Sequence, residues 1–549
     1  MSVIAGLQDF RQEGPPADIG TFQMPTGIFV CQHTFAGATY ICEVRAGQRG
    51  WVLLNYLPLT AANNSTVIQD AINQATEVTL AGGTYLIATR LDGVSNLTLR
   101  GFGVTVLRAV TGGMEMIRFW EKQNIHIEGI FFDGNSQAVI GIRFDATNVP
   151  NACKYVSVVT CWFNNFTGAN NAGIFAGDPA ATGGGLDNSI IIGCFFLGGE
   201  TGFRSHECYR VSIVACYFDA PLTYSCFIRG HQTTTTGCTG TGCAWYTNDY
   251  GNAYVGNASM DVTLGSDARL NTIADSDFEF NSIGISVGAW ENVIIGNVFY
   301  KPTYEAIDCA GYRNIISDNI IFKDSYGWRH CIRITGHHNL VNGNEVRAAV
   351  DDGIFLDGAD DNIIINNKTY ANGRYGINIS NAACDRNRVF GNVFEGDVTA
   401  GFNDGGTGTI LPTIVIPFVD GTDPQDSGFL IDAAAEFARA FLWLPLGVQQ
   451  VVRMKVYARA AALSATTMAA EFVIYGAADN EAYTTHNGSV TNHPSTSSNF
   501  AADDVIYWTI TTAGVLALLG GDSVEVKVLY NATAVATNAY FRAVAIEYV

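Results

Sequence analysis

Three stretches of this 549-residue chain, "TYEAIDCAG", "WRHCIRITG" and "VDDGIFLDGADD", carry acids, a histidine and an arginine at matching places. Each contains a four-residue phrase with apolar second and fourth residues: AIDC at 306, CIRI at 331 and GIFL at 353. Aligned on that phrase, Glu305, His330 and Asp352 share the position before it, and Asp308 and Arg333 share its third position. Asp357 stands at the end of the last phrase. If the phrases are stacked strands about 4.8 Å apart, Glu305 and Asp352 have backbones about 10 Å apart. Their carboxyls then come within reach of the roughly 6.5–9.5 Å separation of an inverting glycosidase. In that chemistry Glu305 and Asp352 are acid and base, Asp308 or Asp357 assists, and His330 and Arg333 orient groups or stabilise charge. An elimination would instead use His330 as proton acceptor and Arg333 to stabilise charge beside a uronic acid. The plainer alternative is a set of solvated or ion-paired side chains, with Asp308 and Arg333 as a cross-strand pair.

Such a set works only if a repeating element positions it. The phrase recurs as GIRF at 141, GIFA at 173, GFRS at 202, CFIR at 226, GISV at 284 and GINI at 376. Alternation of apolar and variable residues predicts a strand with one face inward. Its third positions form an outward column: Arg143, Phe175, Arg204, Ile228, Ser286, Asp308, Arg333, Phe355 and Asn378. A second phrase, as in "ENVIIGNVFY", places Asn297, Asn319, Asn344, Asn367 and Asn392 at intervals of 22, 25, 23 and 25 residues, with Ser276, Cys216, Cys194 and Cys161 extending the series backwards. A period of about 20–30 residues with Val, Ile and Phe dominant predicts a solenoid of strands. At a bend between strands Asn tolerates the left-handed conformation, and its amide can bond the Asn of the next coil.

Composition agrees. Hydrophobic residues make up 48% of the chain and charged ones 15%, with 59 Gly against 13 Pro. The formal charge of −21 disfavours non-specific nucleic-acid binding. No apolar window reaches membrane-span length, and the opening "MSVIAGLQDFRQEG" lacks a leader's basic and apolar regions, so neither membrane insertion nor secretory export is expected. The 13 cysteines, many inside strand-like phrases, predict buried free thiols and assembly in a reducing cytoplasm, Cys238 and Cys243 being loop exceptions. No metal spacing is present, and no cofactor is expected.

Boundaries follow from the pattern: an N-terminal β unit over 1–60, the solenoid over 61–402 with a capping helix near 66–75, a linker over 403–413, and a C-terminal β-sandwich over 414–549. Between Cys216 and Ser276 the reading is one coil plus an insertion of nearly forty residues, "QTTTTGCTGTGCAWYTNDYGNAY" among them. Its Trp245, Tyr246, Tyr250 and Tyr254 suit stacking on sugar rings, or packing on a neighbouring subunit. Arg204, Trp245, Tyr246 and Tyr250 are the candidate glycan-binding residues.

The stretch "STVIQDAINQATEVTLAGGTYLIATRLDGVSNLTLRGFG" and the "N-x-x-x-x-N-x-F" coils resemble the pectate-lyase-like right-handed parallel β-helix superfamily, over residues 60 to 400. Among its members the layout is similar to bacteriophage tailspikes and capsular depolymerases. The resemblance implies an all-β fold, a homotrimer, a place in the virion through the N-terminal unit, and recognition of host-surface polysaccharide with or without its cleavage. The C-terminal domain would serve trimerisation or glycan and receptor binding. The competing class is a non-catalytic virion structural protein. The paired-Asp "VDDGI" lacks the companion signatures of polygalacturonases, and the arginine signature of calcium-dependent pectate lyases is absent.

Overall fold

The computed structural model describes residues 28–411, apart from 36–37, 48–49, 59–60, 148, 169–170, 178–183, 220–223, 248–250, 256, 280–282 and 325–328, and beyond them strands lying between 413 and 548. The chain divides into two compact units, Met1–Ile321 and Phe322–Val549. In both, each coil contributes three short strands that pair in parallel with their counterparts in adjacent coils. The first strand carries the GIRF-type phrase, the second precedes the corner asparagine, and the third follows it.

The corner asparagines stack as their period requires. In the first unit Asn297 Nδ2 donates to Asn319 Oδ1 at 2.9 Å, and in the second the series Asn344, Asn367, Asn392 is joined by amide bonds of 2.9 and 3.0 Å. The first asparagine of the N-x-x-x-x-N-x-F coils, five residues earlier, forms a parallel column of its own: Asn271, Asn292 and Asn314, and separately Asn339, Asn362 and Asn387. Asn292 already stands in the phrase with Asn297, so the second column was visible as a spacing. The expected conformation is shifted by one residue. Left-handed backbone falls on the residue before each asparagine, as at Gly296 (φ 67°), Asp318 (φ 55°), Asn366 (φ 56°) and Gly391 (φ 68°). The preceding residue makes the bend, leaving the buried asparagine to satisfy backbone groups on both sides.

The stretch from Cys216 to Ser276 is not one coil with an insertion. Cys216, Cys238, Asn257 and Ser276 are joined in turn by bonds from a backbone N–H to the next side chain, spanning 22, 19 and 19 residues. These are three short coils, and their irregular length hid the period. Cys238 is consequently buried in the corner column instead of lying in a loop, and Cys243 falls in the strand Thr239–Thr247. Ten cysteines among the described residues are buried and free. Burial pushes the thiols of Cys208, Cys309 and Cys331 up to about 12.

Inside the first unit aromatic rings stack coil on coil. Phe132, Phe163, Phe196 and Phe218 have successive centroid distances of 5.1, 5.0 and 4.8 Å with nearly parallel planes. The cap helix spans Ala61–Gln74, longer at its start than the 66–75 expected, and seals the first coil with Val67, Ile68, Ala71 and Ile72. The N-terminal strands Ile28–Phe35, Ala38–Gly47 and Gly50–Pro58 are antiparallel, and the first also pairs in parallel with Glu77–Ile87 of the solenoid. At the other end, Thr407 bridges Asp385 and Ile410 bridges Arg388, so residues through 411 continue the last coil where a linker over 403–413 was expected. The remaining strands form two antiparallel sheets of six and five strands. Arg453 ties one of them to that coil, reaching Asp404 Oδ2 at 3.2 Å and the Thr409 carbonyl at 2.9 Å.

Candidate functional site

The first strands carry an outward column on each unit. In the first unit it runs Asp92, Arg118, Arg143, Phe175, Arg204, Phe227, Tyr246, Thr263, Ser286 and Asp308, each opposite the next. Phe227 holds the place expected of Ile228, which is fully buried, because the CFIR phrase sits one residue out of register with its neighbours. Phe175 is only 2% exposed, its ring covered by side chains around it.

One end of the column is charge-compensated. Arg118 Nη2 lies 2.7 Å and Arg143 Nε 2.6 Å from Asp145 Oδ2, while Arg143 Nη1 lies 2.5 Å from Glu115 Oε1. Asp145 is fully buried; burial pushes its carboxyl above the usual range, and the two arginines pull it back only in part.

Farther along, cations and rings alternate. The Arg143 guanidinium sits 5.3 Å from the Phe175 centroid, and Arg204 lies between Phe175 at 5.9 Å and Phe227 at 5.1 Å. Arg229 lies 5.9 Å from the same Phe227 ring. Phe227 stacks on Tyr246 at 4.9 Å with planes 11° apart, and Tyr224 packs beside both. These are distances at which a guanidinium is attracted to a ring face.

Of the four glycan-binding candidates, Arg204 and Tyr246 meet on this face. Trp245 does not: alternation turns it inward, fully buried, with Nε1 donating to Thr235 Oγ1 at 3.0 Å. Tyr254 is likewise buried, and Tyr250 lies outside the described residues. At the far end of this unit Glu305 is 4% exposed, and its Oε1 is buried without a hydrogen-bond partner among the described residues.

In the second unit the column reads Arg333, Phe355, Asn378 and Asn403. Behind it, Asp352 is fully buried and saturated with donors. Its carboxylate accepts from Arg374 Nε at 2.8 Å, from Arg374 Nη2, from Asn378 Nδ2 at 2.9 Å and from the Tyr375 N–H at 3.2 Å. His330 Nδ1 lies 3.3 Å from Oδ2, and its ring stacks on Phe355 at 4.0 Å. Burial opposes ionisation, but bonds from Arg374, His330 and Asn378 outweigh it and hold the carboxyl well below the usual carboxylate range. The structure thus brings His330 and Asp352 together, as an anchored pair with no spare lone pair turned to solvent. Arg374 was not singled out in the sequence, though it lies one residue outside the position that His330 and Asp352 share.

Asp357, beside Arg333 of this column, is 44% exposed, 3.8 Å from Arg333 Nη2 and accepting from Asn381 Nδ2 at 3.1 Å. Among the described residues no group of His, Cys, Asp or Glu is placed to hold a metal ion, and no helix is long and apolar enough to cross a membrane.

A comparison with curated protein sequences finds none similar to this chain. Among solved structures, the N-terminal fragment of bacteriophage Phi29 gene product 12 is similar at 14% identity over 61% of this chain and 69% of that one, with a TM-score of 0.49. A tailspike of E. coli bacteriophage HK620, solved with a hexasaccharide, is similar at 12% identity over 88% and 89% of the two chains, with a TM-score of 0.42. The tailspike gp49 of Acinetobacter baumannii bacteriophage Fri1, a capsular polysaccharide depolymerase, is similar at 12% identity over 92% and 94%, with a TM-score of 0.30. Residues 262–413 match the right handed beta helix region family, and the chain is therefore a right-handed parallel β-helix protein over that region.

Proposed function

We propose that the chain is a tailspike-like protein of a virion that recognises host-surface polysaccharide along the outward face of its first strands. The observation that carries this reading is the alternation of guanidinium and ring from Arg143 to Tyr246. Sugars present apolar ring faces and hydroxyl edges, which aromatic faces and arginine donors complement. A rigid solenoid holds such groups at a fixed rise per coil, matching a repeating ligand without ordering a loop.

A homotrimer belongs to the same proposal, argued from the third strands. A second set of apolar outward residues lies on the third strands of the first unit, where Phe131, Trp162, Phe195 and Tyr217 form a column. Trp162 is 44% exposed there, and farther along, beyond Thr239, Ala258 and Asp277, Val298 and Ile320 are 41% and 46% exposed. Exposed apolar surface of this extent tends to be covered by another copy. Binding of purified protein to host polysaccharide on an array, with adsorption to intact cells, tests the reading; attachment to neither overturns it.

A second reading is cleavage. Its support is Glu305, a buried carboxyl with an unbonded oxygen, three residues from Asp308 on the column. Asp352, saturated and held ionised, serves better as the anchor of His330 and Arg374 than as a proton carrier. Hydrolysis leaves new reducing ends, whereas elimination leaves an unsaturated sugar absorbing in the near ultraviolet. Wild-type protein that binds a polysaccharide yet releases no oligosaccharide from it defeats this second reading.

A further inference from the structure

The arginines on the outward face of the first unit fall into two kinds. Arg118 and Arg143 are neutralised by Asp145 and Glu115. The Arg204 side chain has no ion pair or hydrogen bond among the described residues, and its Nε is buried without a partner. It is half-buried between the Phe175 and Phe227 rings. Burial lowers its affinity for its proton, Glu200 offsets that only in part, and the like charge of Arg229 adds to it. Arg229 is exposed beside the same Phe227 ring and forms no ion pair with a described residue. A cation taken out of water and left without its counter-charge costs free energy unless a ligand supplies one. The flanking rings exclude water and strengthen whatever charge pair forms there. A planar guanidinium with donors not spent on the protein suits a planar, two-oxygen anion.

We propose that Arg204, with Arg229 beside it, receives the carboxylate of an acidic sugar whose neighbouring ring lies on the Phe227–Tyr246 stack, so that the polysaccharide recognised by this face bears uronate-type carboxyls. This rests on the recognition reading above and names its substrate class. The net charge of −21 repels polyanions at long range, so the acidic chain is held by this local cationic spot and not by the molecule's field.

The test uses the full chain on immobilised bacterial polysaccharides. Acidic capsular polymers are presented native and after carboxyl reduction, beside phosphodiester-bearing wall polymers and neutral glycans. The expected result is binding to a native acidic polymer that weakens at least about tenfold on carboxyl reduction, the scale of one lost charge-assisted contact. Arg204→Gln should produce the same loss, Arg204→Lys a smaller one, and Arg229→Gln a partial one, with melting temperatures confirming that each variant folds. If Arg204→Gln fails to fold, carboxyl reduction against wild-type protein still decides. Equal binding to native and reduced polymers, or binding that follows phosphate content, overturns the acidic-sugar assignment and leaves the recognition reading standing. Binding to no polysaccharide overturns both.

Discussion

Asp352 shows how chemistry that looks functional in the sequence becomes structural in the fold. Its place in "VDDGI" suggests a proton carrier, yet its two oxygens are filled by Arg374, Asn378, Tyr375 and His330. Because its folded pKa lies below the unfolded value, its contribution to stability is present above the ordinary carboxylate range and is lost as pH falls through the folded pKa. Asp352→Asn should therefore cost on the order of 3 kcal/mol at pH 7, as for a broken buried pair. The difference from wild type should shrink once the pH drops below about 4, the unfolded carboxyl's value. Chemical denaturation of both proteins across that range reads it. Equal stability at pH 7 would mean that the anchor does not hold. What could not be read at this scale was inward or outward aim: Trp245 and Tyr246 are neighbours, and only register decides that one is core and the other surface.

At the scale of the element, the corner columns set coil spacing. Asn367 donates to the carbonyls of Val341 and Ile365 and to Asn392 Oδ1, and its own Oδ1 accepts from the Asn344 amide. Asn367→Ala strands several of these buried groups, each costing about 1–3 kcal/mol, so a loss of several kcal/mol is expected by denaturant titration. Exposed asparagines substituted the same way should stay within about 0.5 kcal/mol. Buried thiols outside that column make a kinetic prediction. With Cys208, Cys309 and Cys331 buried and pushed up to about 12, a thiol reagent at pH 8 should leave these three unmodified in the native protein and modify them after denaturation. Rapid native labelling of them would contradict the burial. The period of the asparagine phrase revealed these coils because repetition is a one-dimensional property. The three coils between Cys216 and Ser276 escaped because two of them, bounded by Cys238, Asn257 and Ser276, are only 19 residues long, off the period of the rest. The bend residue escaped too, since Asp318 and Asn366 look like any polar neighbour of the asparagine.

For the whole molecule, the division of labour is by face. First strands display rings and guanidinium groups, and third strands display exposed apolar residues such as Trp162 and Ile320. The proposal assigns the first face to polysaccharide and the third to neighbouring copies. Mass photometry should show a trimer, and replacing Trp162 with a charged residue should weaken it; a monodisperse wild-type monomer would remove that assignment. The central claim, that the first-strand face recognises glycan, is tested most directly by the Phe227→Ala/Tyr246→Ala double variant, which removes the ring stack at the surface. With its melting transition intact, the variant should lose at least about tenfold in binding to whichever polysaccharide the wild type holds, the loss expected from removing ring-face contacts worth about 1 kcal/mol or more each. Undiminished binding by a folded double variant would place recognition elsewhere and contradict the account.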